Sequence, residues 1–390
     1  MIARFLRPLL CVLAFGSLQA HPCCKPLAKA DCKAKTDYAH LPERLQQYYT
    51  GFPNCEYLSE MVPEAKLFFR TQGKFSTHKP TIVFVHGFGE TGAIWKAAQQ
   101  ELSDEYYTVA FDLRGFGKSS KTTPSPLPGG IHYTTDMYVE DIVQLLSYLG
   151  IDQKVVLVGH SLGGTYAIKF AATYPEKVAK LALVGTFPFI TPDCAVADDC
   201  ATSCLNPATC EEGFCYPFGI SQSTATGLFQ PLTTCLADGG TEKECLAVQG
   251  EFMAPLWYNE LCQCELKKAQ EALVEAVVSN TPGIIFNFVA NALSENILNS
   301  LPDVAAPTLI TYGSDDIVVN PGNSFVIHDA ITNSVLVEFA GKGHQPHVTD
   351  YQNFISLLRC FIESCKMADF TKVFDEGCCV DPLARPKKCD

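Results

Sequence analysis

The chain lacks the features that would suit it to nucleic acid or to a bilayer. Acidic residues outnumber basic ones by 42 to 29, which leaves a formal net charge of −13 over 390 residues. Because these charges are spread along the chain without a basic run, we expect no nucleic-acid partner. Beyond the first twenty residues, no apolar run approaches the ~20 residues of a membrane-spanning helix. We therefore expect a globular protein with no transmembrane segment.

Two further absences concern modification and metal binding. The sequence contains no Asn-x-Ser/Thr acceptor, so N-glycans are not expected. Its cysteines include no pair of C-x-x-C knuckles, which is the spacing typical of zinc sites. We accordingly expect neither a bound metal nor a cofactor.

The first twenty residues have the pattern of a secretory signal peptide. Arg4 and Arg7 supply the positive start, residues 9–15 form the apolar centre, and residues 16–20 end the segment with small side chains. An uncleaved anchor is the alternative, but the apolar centre is too short to span a bilayer comfortably. We therefore predict a secreted protein whose signal peptide is removed near Ala20.

Nineteen cysteines support export independently of the signal peptide. Removal of Cys11 leaves eighteen, an even number in a chain expected to fold where disulfides form. They form groups of four, nine and five within residues 23–55, 194–264 and 360–389. If every thiol is paired, at least one disulfide must join the middle group to another segment, most simply to the last group.

Apolar runs alternate with helical patterns up to residue 187 and again after residue 300. Such runs are typical of parallel strands that are buried on both faces. The intervening insertion breaks the alternation, and an insertion late in a doubly wound sheet lies where ligands bind, so it is a candidate lid. The predicted divisions are a signal peptide (1–20), a cysteine-rich arm (21–54), the first part of the core (55–187), the cap (188–300), the second part of the core (301–365) and a cysteine-containing tail (366–390).

A serine turn over residues 159–164, Gly-His-Ser-Leu-Gly-Gly, follows an apolar strand and precedes a helical stretch. It contains G-x-S-x-G in the strand–turn–helix setting that holds a serine hydroxyl out of a sharp turn. Small residues two positions before and after the serine let the backbone approach closely. The turn therefore predicts Ser161 as a nucleophile.

A serine nucleophile needs a base, and the base needs an acid that fixes its tautomer. Both residue types follow the insertion, each in a loop after an apolar strand. The order serine, acid, histidine is that of α/β hydrolases and differs from the two other well-known triad orders. The candidates for the acid are Asp316, Asp315 and the more distant Asp193, and those for the base are His344 and His347.

With these motifs the chain resembles the α/β-hydrolase superfamily, in its lid-bearing branch of esterases, lipases, carbon–carbon hydrolases and cofactor-free peroxidases. The resemblance covers about residues 60–365 and includes two further motifs, residues 86–89 (HGFG) and 112–119 (DLRGFGKS). It implies an α/β fold with a doubly wound, mostly parallel sheet and an inserted cap, which the cysteines make disulfide-rich. It also implies Asp316 as the acid and His344 as the base.

The same resemblance assigns supporting roles around the triad. The amides of Leu162 and Phe88 are expected to form the oxyanion hole. The loop at residues 112–119 is expected to be architectural. His86 and His160 are expected to be structural histidines with satisfied hydrogen bonds, and His347 a polar residue at the rim.

Serine at position 161 disfavours epoxide hydrolase and haloalkane dehalogenase chemistry, because those relatives carry aspartate there. Leu162 stands where proline iminopeptidases usually have tryptophan. We therefore predict a secreted serine hydrolase that cleaves small or lipid-like carboxylic esters through an acyl-enzyme. A peptidase, thioesterase, carbon–carbon hydrolase or cofactor-free peroxidase would use the same triad, and a non-catalytic binding protein could share the fold. Apolar pairs in the insertion fit either an apolar substrate or the core of the cap itself: Leu228-Phe229, Phe252-Met253 and Leu256-Trp257.

Overall fold

A mostly parallel sheet of eight strands forms the centre of the computed structural model, in the order β1-β2-β4-β3-β5-β6-β11-β12. The structure describes residues 49–52, 65–121, 133–188, 190–191, 210–211, 214–215, 220–221, 228–261, 263–284 and 297–364. The strands of the sheet are β1 (Tyr49–Phe52), β2 (Ala65–Gln72), β3 (Ile82–Val85), β4 (Thr108–Phe111), β5 (Val155–His160), β6 (Val178–Val184), β11 (Thr308–Gly313) and β12 (Ser334–Phe339). The short strands β7 (Ile190–Thr191) and β10 (Ile220–Ser221) pair with each other, as do β8 (Cys210–Glu211) and β9 (Phe214–Cys215).

The sheet is doubly wound, as predicted. From β3 the chain moves outward to β4 and then returns to the other side of β3 with β5. Because the winding direction reverses between β3 and β5, their carboxyl ends border the crevice in which such sheets bind ligands. Only β2 runs opposite to the other strands of this sheet, so that its pairings with β1 and β4 are antiparallel.

Two apolar cores, one on each face of the sheet, explain the continuous apolar runs. In β3, Val83 and Val85 belong to one core, whereas Ile82 and Phe84 belong to the other. Successive side chains of a strand point to opposite faces, so a strand covered on both sides needs apolar residues at every position.

Helices cover both faces. The first core includes residues of α2 (Thr135–Leu149) and α3 (Leu162–Thr173) together with residues of the insertion, and the second includes residues of α1 (Lys96–Leu102) and α9 (Tyr351–Glu363). The remaining helices are α4 (Gln230–Ala237), α5 (Glu242–Trp257), α6 (Gln263–Val278), α7 (Gly322–Ala330) and α8 (Pro346–Thr349). Within the described ranges, no helix is both long and apolar enough to cross a membrane.

The insertion is more helical than predicted. The sequence indicated one helix, at residues 266–278, whereas the structure has α4, α5 and α6 there. Helix α5 begins at a capping box in which Thr241 and Glu244 satisfy each other's backbone amides. A disulfide between Cys235 and Cys245 joins α4 to α5.

The cysteine predictions have mixed outcomes. The Cys235–Cys245 disulfide lies within the middle group, and the assumption that every thiol is paired is wrong at Cys360, whose thiol is free. A disulfide between the middle group and another segment stays a prediction. The proposed signal peptide, the tail at residues 366–390, Asp193 and all of the cysteine-rich arm except β1 lie outside the described residues.

Candidate active site

Ser161 lies in the tight turn between β5 and α3. Its backbone has φ 50° and ψ −122°, and it is the one non-glycine residue with positive φ in the described part of the chain. The left-handed region is costly for a residue with a Cβ atom, so this conformation persists only because the surrounding structure imposes it. The Ser161 amide donates to the Val184 carbonyl at 2.8 Å, which fixes the turn to the end of β6.

The two glycines of the motif are required by close backbone contacts. A Cβ atom on Gly159 would lie 2.6 Å from the Cα atom of Gly164. One on Gly163 would lie 2.4 Å from the carbonyl oxygen of His86. The turn is therefore pressed against both its own helix and the end of β3, as the G-x-S-x-G spacing predicted.

Asp316 and His344 form a buried pair at the ends of β11 and β12. Asp316 Oδ2 accepts a hydrogen bond from His344 Nδ1 at 2.8 Å. Its other oxygen accepts the amides of Val318 and Val319, both at 2.9 Å. Because Nδ1 is the donor to the carboxylate, Nε2 of the neutral imidazole is left as an acceptor.

The serine and the Asp–His pair occupy neighbouring strand ends. A Cβ atom on Gly185, the residue after β6, would lie 3.3 Å from His344 Nδ1 and 3.4 Å from Asp316 Oδ2. Nε2 of His344 is buried and has no hydrogen-bond partner, so it is not hydrogen-bonded to Ser161 Oγ in this structure. Nucleophile–base hydrogen bonds often tighten only when substrate is bound.

The structure separates the alternative candidates from this pair. Asp315 is exposed and accepts a hydrogen bond from the neighbouring Ser314 hydroxyl at 2.8 Å. His347 is not at the rim: it is 4% exposed, and its ring lies 4.6 Å from the ring of Trp95. Burial and the nearby charges of His160 and His344 hold the pKa of His347 well below its usual value. The expectation of a polar rim residue was therefore wrong.

His86 is a satisfied structural histidine. Its Nε2 accepts the Leu113 amide at 2.9 Å, so Nδ1 carries the proton and donates to the Gly87 carbonyl at 2.8 Å. Burial lowers the pKa of His86, in keeping with a neutral ring. The loop at residues 112–119 is likewise held from within, since the Asp112 carboxylate accepts the amides of Gly92 and Lys118, both at 2.8 Å.

The oxyanion-hole candidates lie at two neighbouring strand ends. Leu162 is the first residue of α3, and the first amides of a helix have no partner within it. Phe88 lies in the loop after β3, and its ring packs edge-to-face against Phe229 of the insertion at 5.2 Å. The positive end of α3 adds to the potential that would favour an anion here.

Helix α5 packs against the catalytic loops, by which we mean the loop after β3, the serine turn and the loops after β11 and β12 that carry the candidate residues. The Met253 methyl carbon lies 2.9 Å from where a Cβ atom on Gly89 would be. Trp257 packs edge-to-face on the His344 ring with centroids 5.5 Å apart. Ser161 is consequently only 4% exposed. Phe252, by contrast, is 40% exposed on the outer side of α5.

Comparison with known proteins agrees with this architecture. Residues 80–202 match the family described as the α/β hydrolase fold. The chain is similar to an esterase from Thermogutta terrifontis, with a TM-score of 0.56 and 24% identity over 76% of this chain and 93% of that chain. A bromoperoxidase from Bacillus anthracis is similar with a TM-score of 0.60 and 21% identity over 78% and 97% of the two chains. The chain has the α/β-hydrolase fold.

The chain is also similar in sequence to RutD from Klebsiella pneumoniae, to which a carbamate hydrolase activity is ascribed. The two are 26% identical over 280 residues, which cover 72% of this chain and 90% of RutD. The similar proteins thus include an esterase and a protein to which carbamate hydrolysis is ascribed.

Sequence reasoning missed several residues around the site. Glu90 and Gln345 are buried beside the catalytic loops, and Asn259 of the insertion donates to the Asp315 carbonyl at 2.8 Å. For Glu90 the available signal was an acidic residue directly after the HGFG motif, with no other Asp, Glu, Lys or Arg between Lys79 and Lys96. Nothing in the sequence around residue 259 pointed to the acid loop.

Proposed function

We propose that this protein is a secreted serine hydrolase that cleaves carboxylic esters. The observation that carries the proposal is the 2.8 Å hydrogen bond from His344 to Asp316, which lies beside the strained serine turn. Activation of a serine needs a turn that presents its hydroxyl, a histidine base, and an acid that fixes the tautomer of that base.

In the proposed reaction, Ser161 Oγ attacks the ester carbonyl while His344 Nε2 takes its proton. Asp316 stabilises the resulting imidazolium, and the amides of Leu162 and Phe88 hold the negative oxygen of the tetrahedral intermediate. His344 then gives its proton to the departing alkoxide. The alcohol leaves, and the acyl group remains on Ser161 as an acyl-enzyme. Water, deprotonated by the same base, releases the acid.

The insertion supports an apolar ester. Phe229, Met253 and Trp257 of the insertion are apolar or aromatic and pack against the loop after β3 and against His344. The polar Asn259 contacts the loop after β11 instead, through the Asp315 carbonyl. A site built in this way gains free energy by burying an apolar acyl or alkyl group, at about 25 cal/mol per Å² of apolar surface. An ester of this kind, including a lipid-like one, fits better than a charged peptide.

A fluorophosphonate probe tests the nucleophile directly, because it reacts only with an activated serine. The folded wild-type protein should be labelled at Ser161, and Ser161→Ala should not be labelled. Equal labelling of both proteins, or none of the folded wild type, would overturn the proposal.

A substrate panel tests the class of bond. Nitrophenyl esters of increasing chain length should be hydrolysed faster than matched carbamates and amino-acid anilides. Faster turnover of the carbamates would place the protein with RutD instead, and faster turnover of the anilides would indicate a peptidase.

A further inference from the structure

A buried carboxylate connects three of the loops that build the site. Glu90 is 2% exposed, and its Oε2 atom accepts hydrogen bonds from the Gly87 amide at 2.7 Å and from His160 Nδ1 at 3.0 Å. Its Oε1 atom accepts Gln345 Nε2 at 2.6 Å. Gly87 belongs to the loop after β3, here called the oxyanion loop, and His160 belongs to the serine turn. Gln345 belongs to the loop after β12, here called the histidine loop.

The ring of His160 carries the connection onward to the base. Its Nε2 atom lies 3.0 Å from the main-chain carbonyl oxygen of His344. A carbonyl can only accept, so Nε2 must carry a proton, while Nδ1 faces the Glu90 carboxylate. The ring is therefore held at both nitrogens, by the Glu90 carboxylate on one side and by the His344 backbone on the other.

The charge state of Glu90 agrees with this pairing. Burial alone would raise the pKa of Glu90, but the charge of His160 and the hydrogen bonds from His160 and Gly87 outweigh it and lower the pKa. Around the pair, the His347 ring packs against His160 at 4.4 Å. Burial and the nearby charges of His160 and His344 hold the pKa of His347 well below its usual value, so this neighbour is neutral.

We infer that Glu90 and His160 are positioning residues for the catalytic loops. The inference rests on the proposed serine hydrolase function. Glu90 fixes the position of the oxyanion loop through the Gly87 amide. His160 directly precedes Ser161 in the sequence, and by bonding to the His344 backbone it holds the base beside the serine. An apolar pair could fill the same volume at less cost in desolvation, but it could not bond to three separate loops.

The variant Glu90→Gln tests this role. It keeps the size of the side chain but removes the charge, and its amide cannot accept from every donor that the carboxylate serves. We expect kcat to fall by roughly 10- to 100-fold, as for a small misplacement of reacting groups. KM should change by less than about 3-fold, because Glu90 is buried away from the substrate. The wild type must first be labelled at Ser161 by the fluorophosphonate; failure there would refute the proposed function and not this inference.

A matched control breaks a buried ion pair elsewhere. Asp141 accepts two hydrogen bonds from Arg114, one of them at 2.9 Å, and contacts none of the catalytic loops described above. Asp141→Asn should lower the free energy of unfolding yet leave kcat within about 2-fold. If both variants lose kcat only in proportion to the unfolded fraction, Glu90 has a purely structural role and the inference fails.

A spectroscopic measurement on the wild type makes the test independent of variant folding. With ¹⁵N-labelled histidine, one ring should show a proton on Nε2 that is hydrogen-bonded to a main-chain carbonyl, and this signal should disappear in His160→Gln. A His160 ring without a proton on Nε2 would break the contact with the His344 backbone and overturn the inference.

Discussion

Acid should destabilise this protein from about pH 6.5 downward, because His347 is buried as a neutral ring. Its two ring nitrogens have no hydrogen-bond partner, and burial together with the charges of His160 and His344 holds its pKa well below the usual 6.5. The unfolded chain takes up a proton at this histidine below pH 6.5, whereas the folded chain does not. The unfolded state then binds more protons, so the free energy of unfolding falls as the pH falls.

The expected loss in the free energy of unfolding follows from the lowered pKa of His347. One pKa unit corresponds to about 1.4 kcal/mol, so at pH 5.5 His347 alone should have lowered the free energy of unfolding by about 1.4 kcal/mol relative to pH 8. The pKa of His86 is also lowered, and its contribution has the same sign in the upper part of this range. The total loss is therefore expected to lie between this amount and about twice it.

Urea denaturation at pH 8, 7, 6 and 5.5 under non-reducing conditions measures this loss. The chain has two tryptophans, and both Trp95 and Trp257 are buried, so their fluorescence reports unfolding. The variant His347→Phe should recover about 1.4 kcal/mol of the difference between pH 8 and pH 5.5. His78→Phe, at an exposed position, is the matched control and should follow the wild-type curve. If His347→Phe keeps the full wild-type pH dependence, the reasoning is refuted.

Three further predictions concern the site. Asp316→Asn should lower kcat by about 10³- to 10⁴-fold by allowing the wrong tautomer of the base, while Asp315→Asn, which alters an exposed carboxylate, should leave the rate of ester hydrolysis unchanged. Met253→Ala should shift the preferred acyl chain to greater length, because it removes the side chain that fills the space over Gly89; an unchanged ranking of nitrophenyl esters would count against a substrate pocket there. Gly163→Ala should abolish labelling by fluorophosphonate, since its Cβ atom would meet a carbonyl oxygen at 2.4 Å, and full labelling of a stable variant would show that the turn can relax.

The positions of the candidate site residues were predictable because short motifs carry them. The serine turn combines an apolar strand, two glycines and a helix within a few residues, and each of these has a local physical requirement that the structure displays. The motifs also placed Asp316 and His344 in the loops after β11 and β12, where parallel strands deliver side chains to one edge of the sheet and where the two residues are hydrogen-bonded.

The features that the sequence did not predict depend on contacts between distant segments of the chain. Helix α5 was missed because Gly250 and Pro255 weaken its pattern, and its stability comes from packing against its neighbours. His347 was misread as a rim residue because its burial depends on packing against Trp95, which is distant from it in the sequence. The role of Glu90 is visible only when three loops are seen together.

The way in which the insertion joins the sheet decides how this protein could be re-engineered. Within the described residues, the insertion between β6 and β11 contributes helices but no strand to the eight-stranded sheet. Its length and outer surface can therefore be exchanged without changing any strand register. The carboxyl end of α5 is different, because Trp257 and Asn259 touch the loops of the base and the acid. A chimera that takes selectivity from another hydrolase should keep this end of the helix and replace the segments before it.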